Sequence, residues 1–277
     1  MKYKQYTEEN SNCTVEELPT LLQWVRPQSR VLEFGPAMGY MTKRLKEVLD
    51  CRVVCVELSD EMAKNVAPFA EKVIIANLDE DRWTNEIEGS FDYILFGDVL
   101  EHLRDPDTTI RRAVSLLNNG GSILTSIPNI AHNAIILSLI DGEFDYQEYG
   151  LLDSTHIHFF TRKGIFEMMR SNGLSPVKEK NVLGNPCHCQ PRKFYCTHPF
   201  QSLFLIGRKD AHVYQFVHEW KISSSSTNGE FKAKRLSFKK IIIAILDDLN
   251  EYYYIRTGKK LQLPMWLKKR VRSKYQS

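Results

Sequence analysis

Residues 150–161 read GLLDSTHIHFFT, which sets Asp153, His156 and His158 within six positions of one another. An imidazole is the natural proton acceptor near neutral pH, and a carboxylate beside it fixes its tautomer and orientation. Asp153, three residues ahead, can orient His156. Two imidazoles and a carboxylate can also hold a metal ion. A third reading is structural: His156 satisfies a loop carbonyl beside Phe159 and Phe160, as buried histidines commonly do. His132, in SIPNIAHN, is a second candidate base. His156, His132 and Asp153 are the expected catalytic group, and no metal is expected there.

A second set lies upstream. In VLEFGPAMGY, Glu33 stands just before Gly35, and Gly39 follows with G-x-x-x-G spacing. A strand, a glycine turn and a helix in that order offer backbone N–H groups and a positive helix end to a ligand. Glycine lets a ligand approach the backbone closely. The third glycine of a dinucleotide site is missing, and the acid before the turn suits a cation. Glu57 falls 22 residues after Gly35, followed by Leu58. An acid at about that distance accepts ribose hydroxyls. Asn77, Leu78 and Asp79 follow the next apolar run, where a base edge would lie, and GDVLEHL carries Asp98 and His102. The structural alternative for each is a strand-end turn or cap.

These groups need a scaffold that brings strand ends together. The runs RVLEF, RVVCVE, KVIIA, FDYILF and GSILTSI are short and rich in branched or aromatic residues, with helical stretches between them. Such alternation predicts a parallel sheet covered on both faces. Asp105-Pro106 predicts a helix start, and Thr14 with Glu17 has capping-box spacing. NAIILSLI and Arg162 to about Ser171 read as helices, the latter capped by Thr161 and closed near Gly173. VKEKNVL and QSLFLIG read as the last two strands. Three zones are predicted: an N-terminal helical segment (1–28), a main domain (29–220), and a linker with a basic amphipathic tail (221–277). SSSSTNG marks the linker.

The stretch 30–128 resembles the class I S-adenosylmethionine-dependent methyltransferases. E-F-G-P-A-M-G is similar to their first motif and V-C-V-E-L to their second. F-D-Y-I-L-F-G-D-V-L-E-H-L resembles the acidic fourth-strand motif, and L-L-N-N-G-G-S-I-L-T-S-I-P-N the fifth strand. The resemblance implies a Rossmann-like, seven-stranded, mostly parallel sheet with helices on both faces and the last strand antiparallel, with a C-terminal helical tail added here. It implies S-adenosyl-L-methionine as cofactor, held by Glu33, Gly35, Gly39, Glu57, Leu58, Asn77, Leu78 and Asp98. The family often has Asp where Asn77 stands. S-I-P-N-I-A-H, G-x-F-x-Y, G-L-L-D-x-T-H and F-F-T resemble a subset associated with sugar and glycan modification. O-methylation of a sugar or glycan-linked acceptor, helped by a histidine, is therefore expected. A phenol or quinone-like metabolite is the alternative acceptor. A catalytically inactive cofactor-binding subunit and a nicotinamide enzyme are the rivals from other classes.

The totals are those of an ordinary globular chain: 277 residues, 43% hydrophobic and 26% charged. The net charge is +3, yet all of the excess lies beyond Tyr252, where eight lysines and arginines stand with no acid. The remainder is mildly acidic, so no nucleic-acid partner is expected. The basic tail can pack on the body, bind a protein partner or lie on an anionic membrane surface. The opening MKYKQYTEEN lacks an apolar h-region, no run has the length of a membrane span, and the six cysteines do not form a secreted framework. A cytoplasmic setting, with possible membrane association, is the expectation. Cys187-His188-Cys189 with Cys196-x-His198 can supply four zinc ligands; the rival reading is a hairpin in which small cysteines pack.

Overall fold

The computed structural model describes residues 17–223 and 235–261. In chain order the elements are α1 (Glu17–Trp24), β1 (Arg30–Phe34), α2 (Tyr40–Glu47), β2 (Arg52–Glu57), α3 (Asp60–Val66), β3 (Lys72–Ile75), α4 (Arg82–Glu86), β4 (Phe91–Gly97), α5 (Pro106–Ser115), β5 (Leu117–Pro128), α6 (Asn133–Ile140), α7 (Arg162–Ser171), β6 (Leu174–Leu183), α8 (Pro199–Leu205), β7 (Val213–Ile222) and α9 (Phe238–Thr257). The seven strands form one sheet in the order β3-β2-β1-β4-β5-β7-β6. β1, β2, β3, β4 and β5 pair in parallel, and β7 runs antiparallel to β5. The parallel sheet expected from strand–helix alternation is observed, and so is the Rossmann-like, seven-stranded arrangement with an antiparallel last strand that the resemblance implied. β1 and β4 are neighbours although two strands separate them in sequence, so the topological switch falls between them.

The chain divides into two compact units. The first takes residues 17–128, 155–182 and 215–223. The second takes 129–154, 183–214 and 235–261. The contiguous zones expected from composition differ from this division, because α9 groups with two segments inserted between elements of the sheet. The capping-box residue Thr14, most of SSSSTNG and the basic end beyond Leu261 lie outside the described residues.

Within the first unit, the parallel strands are nearly continuous apolar runs, as strands covered on both faces must be. Val31, Val53, Cys55, Leu95 and Leu124 form a core with Leu21, Met41, Leu45 and Val66 of the covering helices. The helix starts follow local chemistry. Asp105 accepts from the Thr108 N–H at 3.0 Å with Pro106 behind it, and Thr161 accepts from the Gly164 N–H at 3.3 Å.

One expected strand is a helix. QSLFLIG does not join the sheet; α8 covers most of it. Pro199 at its start has the fixed φ and missing N–H that suit a first helical turn. Ser202 turns inward, donating to Tyr195 O at 2.8 Å, while Phe200 and Phe204 are 80% and 83% exposed. The last strand is instead β7, VYQFVHEWKI. Its first eight residues are all buried, so polar and apolar positions are covered alike and no alternation survives. Of its buried polar side chains, Glu219 accepts from Ser122 Oγ at 2.7 Å and meets Lys178 Nζ at 2.7 Å, whereas neither ring nitrogen of His218 has a hydrogen-bond partner among the described residues and its ring packs edge-on against Phe166.

The second unit has a smaller apolar core, Leu137, Tyr195 and Ile206 against Ile241 and Ile245 of α9. Polar cross-links do much of its ordering. The buried Asp248 carboxylate accepts the Tyr195 and Cys196 N–H groups at 2.8 and 3.1 Å. The first part of the expected tail is therefore a packed helix. No described helix is long and apolar enough to cross a membrane.

Candidate cofactor and catalytic site

The carboxyl ends of β1, β2 and β4 meet in the first unit. After β1 the chain takes positive φ at Gly35 (59°), Ala37 (49°) and Gly39 (75°). Only glycine adopts such values cheaply. Glycine is also required by packing here. A Cβ on Gly35 would lie 2.9 Å from Val99 Cγ2, and one on Gly39 would lie 3.3 Å from Val66 Cγ2. Ala37, held left-handed without that freedom, donates its N–H to Glu57 Oε2 at 3.0 Å. Glu57 Oε1 accepts the Ser59 N–H at 3.0 Å, where Ser59 caps α3. One carboxylate thus ties the first loop to the second.

Glu33 behaves differently. It is 1% exposed and accepts from the Thr42 hydroxyl of α2 at 2.7 Å. Burial pushes its pKa up to about 7, helped by repulsion from Glu57 and opposed by the Thr42 bond. It braces α2 beneath the loop rather than facing outward.

Leu58, beside Glu57, is 57% exposed and offers an apolar edge at the end of β2. Asn77 turns its side-chain oxygen to the Asp79 N–H at 3.0 Å. Leu78 is buried, and its carbonyl accepts from Trp83 Nε1 and from Thr109 Oγ1, both at 3.3 Å. Asp79 Oδ1 takes the Arg104 N–H at 2.8 Å, so this carboxylate anchors the turn after β4.

Asp98 ends β4 with φ 54°, a strained value for a non-glycine residue. Its carboxylate accepts from Gln215 Nε2 of β7. Its surface meets solvent, while crowding by protein raises its pKa to about 7. The residue is exposed at the carboxyl end of β4, beside the loop that follows β1.

Beyond Asp98, the turn Leu100–His102 meets the segment that carries His156. His102 Nδ1 lies 3.1 Å from Thr155 O and 3.2 Å from Thr155 Oγ1. The His102 and His156 rings meet edge-on at 4.8 Å. His156 Nε2 is 4.0 Å from Glu101 Oε1, and both residues are buried, His156 at 8% and Glu101 at 0% exposure. The Ile157 and His158 N–H groups both donate to Glu101 O, at 2.9 and 3.0 Å. His158 Nε2 sits 3.2 Å from Arg104 O. Glu101, His102 and His156 therefore form the acid–base cluster of the first unit. Their ligating atoms lie within 4.8 Å of one another. His158, which the spacing offered as a ligand, is not in this group.

The other two expected catalytic residues belong to the second unit. Asp153 sits in a turn where its N–H donates to Gly150 O at 3.2 Å and Ser154 N–H donates to Gln147 O at 2.9 Å. His132 is fully buried and caps α6. Its Nδ1 accepts the Ala134 N–H at 3.2 Å, and its Nε2 donates to Gly184 O at 2.9 Å. Burial lowers its pKa to about 4. Both ring nitrogens are committed to a neutral tautomer, which is a structural arrangement. Glu101 and Gln215 were not singled out from the sequence. The E-H pair beside Asp98 was a usable signal for Glu101; Gln215 lay in the strand that polar residues concealed.

The family model described as a methyltransferase domain matches residues 6–179. The ubiquinone biosynthesis O-methyltransferase of Xanthomonas campestris pv. campestris (strain B100) is 29% identical over 125 residues, which cover 43% of this chain and 51% of that protein. The chain thus spans about half the length of such curated relatives. Among solved structures, magnesium protoporphyrin IX methyltransferase from Synechocystis PCC 6803 aligns with a TM-score of 0.50 at 14% identity, covering 73% of this chain and 80% of that one. The 4+2 cyclase SpnF aligns with a TM-score of 0.50 at 10% identity, covering 74% and 79%. These likenesses concern the fold; the cyclase illustrates that one fold hosts more than one chemistry.

Proposed function

The chain belongs to the methyltransferase-domain family, and from that premise we propose that it is an S-adenosylmethionine-dependent O-methyltransferase acting on a small hydroxyl-bearing acceptor. The observation that carries the reading is the joined loop pair: left-handed Gly35, Ala37 and Gly39 linked through Glu57 to the end of β2, beside the exposed Leu58. The donor set fits the cofactor. Backbone N–H groups of the loop suit a carboxylate, the Glu57 carboxylate suits ribose hydroxyls, and Leu58 with Leu78 suits a flat base. When bound, S-adenosylmethionine supplies an electrophilic sulfonium methyl.

The chain's own part is alignment and proton handling. Asp98 offers a carboxyl group at the end of β4. His156 takes the acceptor's hydroxyl proton on its ring, and Glu101, 4.0 Å from Nε2, stabilises the resulting cation. His102, edge-on to His156 and held by Thr155, keeps that ring in place. A phenol or quinone-like acceptor is favoured by the relatives named as ubiquinone biosynthesis O-methyltransferases. The sugar or glycan-linked acceptor suggested by the G-x-F-x-Y and D-x-T-H segments gains no support from them. Calorimetry with S-adenosylmethionine and S-adenosylhomocysteine tests the cofactor. A panel of phenols, catechols, quinols and sugars, read as S-adenosylhomocysteine release, tests the acceptor. Preferential binding of NAD, or no binding of either adenosyl ligand, overturns the reading.

A further inference from the structure

In the second unit, a cluster that methyl transfer does not use brings together sulfur, nitrogen and oxygen donors. The Asn185–Cys189 turn wraps on its first residue. The His188 and Cys189 N–H groups donate to Asn185 O at 2.8 and 3.2 Å, and the Cys187 N–H donates to Asn185 Oδ1 at 3.3 Å. This turn presents Cys187 and His188 to α9, which contributes Asp247. His188 Nε2 lies 3.0 Å from Asp247 Oδ2, and Asn185 Nδ2 donates to the same oxygen at 3.3 Å. The Cys187 thiol, a His188 ring nitrogen and an Asp247 oxygen all lie within 4.8 Å of one another.

We propose that Cys187, His188 and Asp247 form a binding site for a zinc-class divalent cation that fastens the 185–189 turn to α9. The donor chemistry selects the metal. Thiolate with imidazole suits zinc, whereas oxygen-only sites suit magnesium or calcium. Tetrahedral bonds of about 2.0–2.3 Å put neighbouring ligand atoms roughly 3.3–3.8 Å apart. His188 Nε2 and Asp247 Oδ2, now 3.0 Å apart, would separate slightly, and the three donors, at most 4.8 Å apart, would settle within roughly an ångström of that spacing.

The electrostatics point the same way. Cys187 is 0% exposed, and Asp247, Asp248 and Glu251 of α9 add negative charge around it. These acids give the turn a negative surround that attracts a divalent cation. On binding, the sulfur–hydrogen bond breaks, its electron pair bonds the metal, and the proton leaves to solvent. The His188 and Asp247 side chains are 30% and 13% exposed, which leaves a way in from solvent. Water fills the fourth position. Asp248 is held elsewhere by its two backbone donors.

The ligand set differs from the Cys187, Cys189, Cys196 and His198 quartet that spacing alone suggested. Cys196 lies beside Asp248, and His198 Nε2 pairs with Asp141 at 2.7 Å.

The test uses the full chain, stripped with a chelator and then dialysed against zinc or cobalt. Mass spectrometry should find one zinc per chain, the melting temperature should rise with zinc, and the cobalt form should show a thiolate-to-metal charge-transfer band. Cys187→Ser should remove the band, and Asp247→Asn should weaken zinc binding by at least about 10-fold. Cys189→Ser and Cys196→Ser should leave stoichiometry and band intact. No zinc above buffer, an unchanged band in Cys187→Ser, or equal loss in Cys196→Ser overturns the proposal. If Cys187→Ser does not fold, the band of the unmodified chain and the Asp247→Asn affinity decide.

Discussion

Two histidines that look alike in the sequence occupy opposite kinds of site. His132 has each ring nitrogen bonded to backbone, lies fully buried and is held neutral. His156 lies near a carboxylate and edge-on to another imidazole. An imidazole whose nitrogens both serve the backbone can fix a helix start but cannot exchange a proton without breaking it. One beside an acid can take a proton and keep its place. Residue type told of the capacity for chemistry; the partners mark His132 as structural, and in the proposed function His156 is the one that uses it.

The comparison can be broken by mutation. The largest effect should come from His156→Ala: transfer falls about 100- to 10,000-fold, while calorimetric affinity for S-adenosylhomocysteine and the melting temperature stay near those of the parent. Loss of folding instead would put His156 with His132 in the structural class. Next, Glu101→Gln should slow transfer about 10-fold and shift the acid limb of its pH profile, because the imidazolium loses its carboxylate. An unchanged profile would remove Glu101 from the proposed role.

His132→Ala should act on stability alone, by about 1–3 kcal/mol in denaturant titration, since it strands the Gly184 carbonyl. Transfer per folded molecule should hold; a loss of transfer at full stability would invert the comparison. The smallest effect is in pH. The folded pKa of His132 is lowered to about 4 from 6.5, so the unfolded chain binds the proton more readily. The stability it contributes is present above pH 6.5 and is lost as pH falls toward 4. His212 and His218, each lowered to about 3 by burial, add to the same trend over a wider range. His132→Gln should flatten the melting temperature between pH 6.5 and 4; an equal slope would show that His132 is not buried neutral.

The first unit was largely readable from sequence, since its signals are periodic or local. Branched residues in RVVCVE mark a strand covered on both faces, and Asp105-Pro106 or Thr161 marks a helix start whatever surrounds it. Gly35, Gly39 and Glu57 could be found because strand-end position and residue type coincide. The second unit was not readable in that way. Tyr195 depends on Asp248, 53 positions on, and Asn133 on Tyr195, 62 positions on. Such pairings leave no repeat. β7 was missed for a related reason: Gln215, His218 and Glu219 look like solvent-facing positions until their distant partners are known.

The strand order also has a kinetic consequence. β7 lies between β5 and β6, and it reaches β5 only by bringing Trp220 against Ile123. Closing so long a stretch costs entropy before any ladder bond repays it. β6, made earlier, has no edge to join until β7 arrives. A growing chain should therefore carry a five-stranded parallel sheet with β5 as an open edge, and seal that edge last.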